Sequence, residues 1–330
     1  MLRLPNPVGD IPRMISSLQQ IYNETSGIDS FDNNDLKKIA ALGGQVSSRG
    51  AVGAEALRRS AEQNTSLDPI YNQLKMYSEI YRMLGWLRPF DKKLKFKHTE
   101  LGSMISEVDE LDDISLGLLS ESLLGITFPN PNVDQKGIRN HRPFPWILQL
   151  MVALDGKLTK WEMILGVMDV EDDLEPHAFD NAVERIQSVR GSKTALDKAV
   201  EEVCRRNGIQ KTTADNYTRI PVAAMTMPQL GWAESVSITG LYERKTTSLV
   251  LTDDGADLAE RVAGRIDVRE RHLEPFSQYE RANFANVAWY SMLERAGLGE
   301  TLKDGDYPRA RDSAWRGAKR VLETLHISDP

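Results

Sequence analysis

Along the N-terminal part of the chain, apolar residues recur with the spacing of helices that bury one face. Ile11, Met14, Ile15, Leu18 and Ile21 follow a helical period and predict a first helix. A second is expected to start at Asp32–Asp35, where Asx side chains cap free N–H groups, and to stop at Gly43-Gly44. After QVSSRGAVGAEALRRSAE, the run LDPIYNQLKMYSEIYRML predicts a further helix, with Ile70, Leu74, Tyr77, Ile80 and Leu84 as its buried stripe. Beyond Gly85 the period shortens. Trp86, Leu87, Phe90, Leu94 and Phe96 alternate, or nearly so, around the polar Asp91-Lys92-Lys93, which is the pattern of a two-stranded hairpin. Thr99 is placed to cap the helix GSMISEV that follows.

The same order returns later in the chain. LGW at 84–86 reappears at 230–232, and Thr-x-x-Gly at 99–102 reappears at 252–255. FPWILQLMVALDGKLTKWEMILGVM predicts two helices around Asp155-Gly156, the second capped by Thr159, and DNAVERIQSVRG and KTALDKAVEEVCRRNG predict two more. TADNYTRIPVAAMTMPQLGW matches the helix before the first LGW, down to Tyr217 at the position of Tyr71, although Pro221 should interrupt it. GLYER and SLVLT are expected as the strands of a second hairpin, and DDGADLAERVAGRI as its closing helix.

Helices followed by a β-hairpin wing define a winged helix, a variant of helix-turn-helix. The expected fold class is therefore mainly α with small β-hairpins, arranged as tandem winged-helix domains. The expected divisions are 1–106 for the first such domain, 107–140 for a linker helix and extended connector, 141–266 for the second domain and 267–330 for a helical extension. The tryptophans Trp86, Trp146, Trp161 and Trp232 are expected in the cores.

Composition narrows the functional classes. With 330 residues, 41% of them hydrophobic, the chain can bury several cores; a single cysteine, Cys204, rules out a disulfide framework and fits a reducing, cytoplasmic setting. No apolar run is long enough to span a membrane. The net charge of −7 argues against indiscriminate polyanion binding, yet charge is segregated along the sequence. Residues 88–97 hold Arg88, Lys92, Lys93, Lys95 and Lys97, whereas 107–113 reads EVDELDD and 169–175 reads DVEDDLE.

The segment RPFPWILQLMVALDGKLTKWEM and the two LGW to Thr-x-x-Gly hairpins resemble the DNA-recognition half of type IIS restriction and nicking endonucleases, AlwI-like and more distantly FokI-like. The likeness covers roughly 10–265 and is strongest at 141–168 and 212–262. It implies reading of a short asymmetric double-stranded DNA site and cleavage outside that site by a separate Mg²⁺-dependent nuclease domain, toward which 267–330 would lead. Candidates for that nuclease's Asp/Glu-x-Lys signature include Asp91-Lys92-Lys93, Asp134-Gln135-Lys136 and Glu243-Arg244-Lys245. Two of these fall in the expected wings and one in a Pro/Asn-rich linker, so no catalytic or metal site is expected within the chain.

In helix-turn-helix proteins a recognition helix reads base edges while wings and loops touch phosphates. In the first copy Asn72, Gln73 and Lys75 are expected on the open face of that helix, with Arg49, Arg58 and Arg59 just before it. Arg58 and Arg59 have a plain alternative role in solvating a helix. In the second copy Lys211, Thr212, Thr213, Asn216 and Arg219 stand at the helix start; Thr212 or Thr213 could cap it, and Asn216 and Arg219 are expected to share a face as base readers. Arg139, Asn140 and Arg142 either track phosphates as an extended arm or cap the following helix. Lys92, Lys93 and Lys95, and Arg244 and Lys245 in the second wing, would add salt-dependent affinity. Two alternatives stay open: a stand-alone winged-helix regulator or specificity subunit without nuclease activity, and a winged-helix protein-interaction module.

Overall fold

The computed structural model describes residues 1–5, 10–44, 46–48, 50–60, 67–91, 95–108, 112–134 and 137–327. These are mainly helical, with two small antiparallel sheets. The chain divides into two compact units, one of Met1–Asp109 with Ser122–Ala259 and the other of Glu110–Glu121 with Glu260–Pro330. No helix among the described residues is long and apolar enough to cross a membrane.

The larger unit begins with α1 (Ile11–Thr25), α2 (Asn33–Leu42), α3 (Gly53–Ser60) and α4 (Pro69–Met83). Their starts follow the capping residues of the sequence. Asp10 accepts from Arg13 N–H, Asp32 and Asp35 form a capping box, and Asp68 accepts from Tyr71 N–H at 2.9 Å. The expected stripe of α4 is buried in full, alongside Leu18, Leu36 and Trp86. Strands β1 (Leu87–Pro89) and β2 (Phe96–His98) then pair Leu87 with His98, and α5 (Glu100–Ser106) closes the first copy. Leu94, expected in this hairpin, lies outside the described residues.

The end of α4 and the start of α5 are held by one carbonyl. Gly85 takes the left-handed conformation (φ 74°), which turns the chain out of the helix into β1. The Trp86 carbonyl oxygen accepts from Thr99 N–H at 3.1 Å, the Thr99 hydroxyl donates to Gly85 O at 2.6 Å, and that hydroxyl accepts from Gly102 N–H at 3.0 Å. The second copy builds the same latch: Gly231 is left-handed (φ 65°), Thr252 N–H donates to Trp232 O at 3.3 Å, the Thr252 hydroxyl donates to Gly231 O, and Gly255 N–H donates to that hydroxyl at 3.0 Å. In both, the glycine leaves room for the carbonyl. A Cβ on Gly102 would stand 2.0 Å from Trp86 O, and one on Gly255 1.8 Å from Trp232 O.

Between the copies run α6 (Asp113–Leu124) and a segment that folds back on itself, with Phe128 N–H donating to His141 O at 2.8 Å and His141 N–H to Phe128 O at 3.0 Å. This closed loop stands where an extended connector was expected. The second copy comprises α7 (Pro143–Ala153), β3 (Lys157–Leu158), α8 (Lys160–Met163) continued as a π-helical turn over Ile164–Met168, α9 (Ala178–Val189), α10 (Lys193–Arg206), α11 (Lys211–Tyr217), α12 (Arg219–Met225), β4 (Ala233–Ile238), β5 (Thr246–Leu251) and α13 (Asp253–Ala263).

Two details differ from expectation. The first strand of the second hairpin is Ala233–Ile238, directly after Trp232, and GLYER lies in the connecting loop. There Gly240 is left-handed (φ 94°), and Tyr242 turns inward to donate its hydroxyl to the buried Glu162 at 2.8 Å. In addition β3 joins the hairpin as a third strand against β5, a two-residue element too short to show a period in sequence.

The smaller unit contains the residues of α6 up to Glu121, α14 (Glu270–Leu273), α15 (Gln278–Leu293) and α16 (Tyr307–Thr324). α15 and α16 pack as a helical hairpin over Phe276, Phe284, Val287, Ala314, Ala318 and Val321. Buried Glu121 accepts from Arg265 at 2.8 Å and Arg295 at 3.0 Å, which ties α6 to the segments around it.

The latch yields a prediction. Gly102→Ala and Gly255→Ala should each destabilise the larger unit by roughly 3 kcal/mol, because a backbone oxygen must move. Gly27→Ala, whose added methyl meets nothing within 4 Å, should stay within about 1 kcal/mol of wild type. Thermal and urea unfolding of the three variants would check this, and equal stabilities would refute the latch.

Candidate nucleic-acid interface

Beside the buried Ile70, Leu74 and Tyr77 of α4 runs a second helical stripe of exposed Lys75, half-buried Asn72 and Met76, and buried Glu79. Thr213, Asn216 and Tyr217 of α11 form a matching stripe. Both stripes line one cleft of about 440 Å³, with Arg3, Leu4 and Pro5 alongside. The N-terminal segment is fixed by the burial of Leu2 and Leu4 and by Leu2 N–H donating to Met168 O at 2.7 Å, and Arg3 pairs with Glu79.

The cleft therefore gathers Asn72, Lys75, Thr213 and Asn216 from two parts of the sequence far apart. It also brings in Arg3, Met76, Glu79 and Tyr217. Arg3 carries no local signal in sequence, since its position depends on how the first residues pack. Lys75 and Asn216 are exposed at the rim, while Asn72 is half-buried. The amides offer paired donors and acceptors, and Arg3 and Lys75 outweigh Glu79 in charge.

Other expected residues lie elsewhere. Gln73 is half-exposed, and Thr212 and Arg219 are exposed, all outside the cleft lining. Asn216 and Arg219 do not share one helix: α11 ends at Tyr217 and α12 starts at Arg219, with Thr218 between them. Pro221 has no N–H to donate to Tyr217 O, so the break falls one turn before the proline. Neither Thr212 nor Thr213 caps α11, whose N-cap is Gln210 without a side-chain bond. Lys211 is turned toward Asp197 at 2.8 Å, with its ammonium 4.8 Å from the Trp161 ring centre, and Lys160 sits 4.7 Å from the same ring. Trp161 is thus a half-buried platform between lysines and not the core residue expected.

Arg58 and Arg59 both pair with Glu55 on α3, in keeping with a solvated helix face, and the Arg59 hydrogen bond holds the Glu55 carboxyl below its usual range. Arg139 reaches Glu175 at 3.1 Å and Asp172 at 3.8 Å, and Asn140 donates to Asp172 at 3.0 Å. Arg142 donates its backbone N–H to Asp173 at 2.7 Å. These three embrace the acidic stretch 169–175, and Asp169 of that stretch is held in turn by Arg185 and Arg206. Arg139, Asn140 and Arg142 thus stitch the fold and do not form an extended arm. Arg49, Lys92 and Lys93 lie outside the described residues. Arg244 and Lys245 are exposed in the loop of the second hairpin, and Lys95 is exposed on the first. Among the described residues no group of three His, Cys, Asp or Glu is placed to hold a metal ion.

No protein-family model matches the chain, and no curated protein matches it. Solved structures similar to it include the BpuJ1 endonuclease binding domain in complex with pyrene- and phenanthrene-modified DNA, at 12% identity over 80% of this chain and 84% of that one, with a TM-score of 0.43. Restriction endonuclease FokI is similar at 14% identity over 79% of this chain, with a TM-score of 0.39. FokI bound to DNA is similar at 15% identity over 98% of this chain, with a TM-score of 0.41. The chain spans 48% and 58% of these two FokI chains.

At the base of the first hairpin, the His98 ring packs between Tyr22 and Phe31, with Nε2 2.8 Å from the Thr25 hydroxyl. Burial pushes its pKa down to about 4. An unfolded histidine titrates near about 6.5, so the stabilisation is complete above that pH and is lost as pH falls toward 4, because the unfolded chain takes up the proton first. Unfolding free energy should accordingly fall between about pH 6.5 and 4, and His98→Gln should flatten that part of the profile. An unchanged slope in the variant would assign it to other groups.

Proposed function

We propose that this chain reads double-stranded DNA in a sequence-specific way through two winged-helix domains in tandem, as the target-recognition part of a type IIS-like restriction or nicking endonuclease. The observation that carries the reading is the convergence of Asn72 and Lys75 on α4 with Thr213 and Asn216 on α11, each helix preceding a latched hairpin. The cleft is too small for a duplex. Its value is that two polar helix faces meet at one rim, which can face a major groove about 12 Å wide.

In this reading Asn72 and Asn216 pair with adenine edges, for which a carboxamide offers both a donor and an acceptor, and Lys75 takes a guanine edge or a phosphate. Half-exposed Gln73 and exposed Thr212 and Arg219 flank the rim and contact the backbone. The two copies are not equivalent, since α4 is continuous where α11 and α12 are separate, so the site they read is asymmetric. Cleavage belongs to an associated Mg²⁺-dependent nuclease domain or subunit. That association rests on the sequence likeness at 141–168 and 212–262.

The test is selection of duplexes from a randomised pool with the full chain. One short non-palindromic sequence should be enriched. Asn72→Ala and Asn216→Ala should each weaken binding to it by about 1–3 kcal/mol and relax selectivity at one position. Lys75→Ala should weaken binding to all duplexes alike if it meets phosphate, lowering the salt slope by about one. Failure to enrich any duplex would sink the reading in favour of a protein-interaction module.

A further inference from the structure

The start of α8 is held from inside the larger unit. Thr159 and Glu162 are buried and cap each other, and Glu162 also accepts from Arg190 Nε and from the Tyr242 hydroxyl, each at 2.8 Å. The two residues between them are left at the surface, Lys160 exposed and Trp161 half-buried. The indole therefore has a fixed place, and its N–H meets no acceptor among the described residues. An aromatic N–H on a rigid helix start, beside cations, is a donor awaiting an acceptor.

The Lys160 and Lys211 ammoniums lie 4.7 and 4.8 Å from the indole centre. Lys160 pairs with Asp215 at 2.6 Å, while Lys193 and Lys211 share the carboxylate of Asp197. Three ammoniums thus share two carboxylates, and neither an ammonium nor an indole N–H can accept a hydrogen bond. The donors around the ring suit an anion. Their position along α11 indicates which one. Ala214 is buried, and Thr212 and Asn216 are exposed on the open side of that helix. Thr213 and Tyr217 form the flank on the cleft, and Lys211 and Asp215 form the opposite flank. Cations therefore bracket the open side of α11, with Arg3 and Lys75 toward the cleft and Lys160 and Lys211 away from it. A helix that reads a groove is positioned by contacts to the phosphates that border it.

We propose that Lys160, Lys211 and the Trp161 indole N–H form a seat for one backbone phosphate of the duplex that α11 reads, on the flank away from the cleft. Asp215 is the counter-charge that this phosphate displaces from Lys160. The proposal rests on the DNA-recognition reading above. A phosphate contact carries no sequence information, so the seat sets how α11 is turned in the groove and leaves base choice to Asn216. A free phosphate ion offers the same oxygens. With two carboxylates already beside the three ammoniums, the seat favours a phosphate held in place by the rest of a bound duplex.

The experiment uses the full chain and the duplex recovered by selection, with phosphates replaced one at a time by neutral methylphosphonate. One replacement should weaken wild type roughly tenfold and leave Lys160→Ala unaffected, because that variant has already lost the contact. Lys160→Ala should lower the salt slope by about one while enriching the same sequence as wild type. Trp161→Phe, which keeps a ring and loses the N–H, should weaken binding to all duplexes alike. Asp215→Asn should tighten binding to all duplexes, whereas a Lys160–Asp215 pair that serves only the fold would lower thermal stability and leave binding no tighter. A wild-type salt slope in Lys160→Ala, or an Asp215→Asn chain that binds no tighter, overturns the seat and leaves DNA reading intact. Inorganic phosphate at micromolar concentration that changes the fluorescence of wild type but not of Trp161→Phe assigns the seat to a free ion and overturns it as well. A chain that enriches no duplex overturns both.

Discussion

Two carbonyl oxygens, those of Trp86 and Trp232, organise the larger unit. Each is met from one side by a threonine that ends a hairpin and from another by a glycine that starts the next helix. A buried carbonyl without a donor would be costly, and a side chain on the glycine would force the helix away. The three residue types are therefore one device: left-handed glycine to stop a helix, tryptophan to fill the space beneath, and Thr-x-x-Gly to cap the next helix directly onto that tryptophan's backbone. Because the device fixes where α4 ends and β1 begins, it also sets which face of α4 looks outward, and so positions Asn72 and Lys75.

Charge is arranged by the same folding. A net charge of −7 with long acidic runs would suggest a surface that repels DNA. In space, however, the 169–175 stretch is paired with Arg139, Arg185 and Arg206, which come from before and after it in sequence. Local cation pairing leaves the field around the first hairpin and the rim of the cleft to Lys75, Arg88, Lys95 and Lys97. The average charge is thus a poor guide to the potential at the proposed interface, where field falls off over about 8 Å in physiological salt.

Most helices, several of their caps and the repeated latch were legible because they are written in local signals: Asp32, Thr99 and Thr159 at helix starts, and apolar residues at helical spacing. What was not legible depends on tertiary partners. GLYER read as a strand because Leu241 and Tyr242 are apolar and β-prone, yet buried Glu162 draws Tyr242 out of the hairpin and the strand forms one segment earlier. Trp161 read as core by its residue type, whereas two lysines cover it at the surface. Arg139, Asn140 and Arg142 read as an arm or as a cap of the next helix because their acidic partners lie about thirty residues on and no local rule pairs them. At the candidate site, the polar residues of α4 and α11 could be named individually, but their meeting across one cleft, and Arg3 beside it, follows only from how the two copies pack.

The repeated latch also marks where the two parts of the larger unit differ. The latch is kept in both, down to the donor on each carbonyl, so the hairpin base tolerates little change. The helix before it does not obey the same constraint. α4 runs unbroken into its glycine, while Pro221 divides its counterpart at Thr218, which separates Asn216 from Arg219 and leaves only the first half of that helix on the cleft. The aromatic residues near the two hairpins differ as well, Phe90 being exposed and Tyr242 buried. Under the proposed reading, a repeat held constant at its latches and varied at the surfaces they position would offer two unlike faces to DNA, which suits an asymmetric sequence better than a symmetric pair of identical copies.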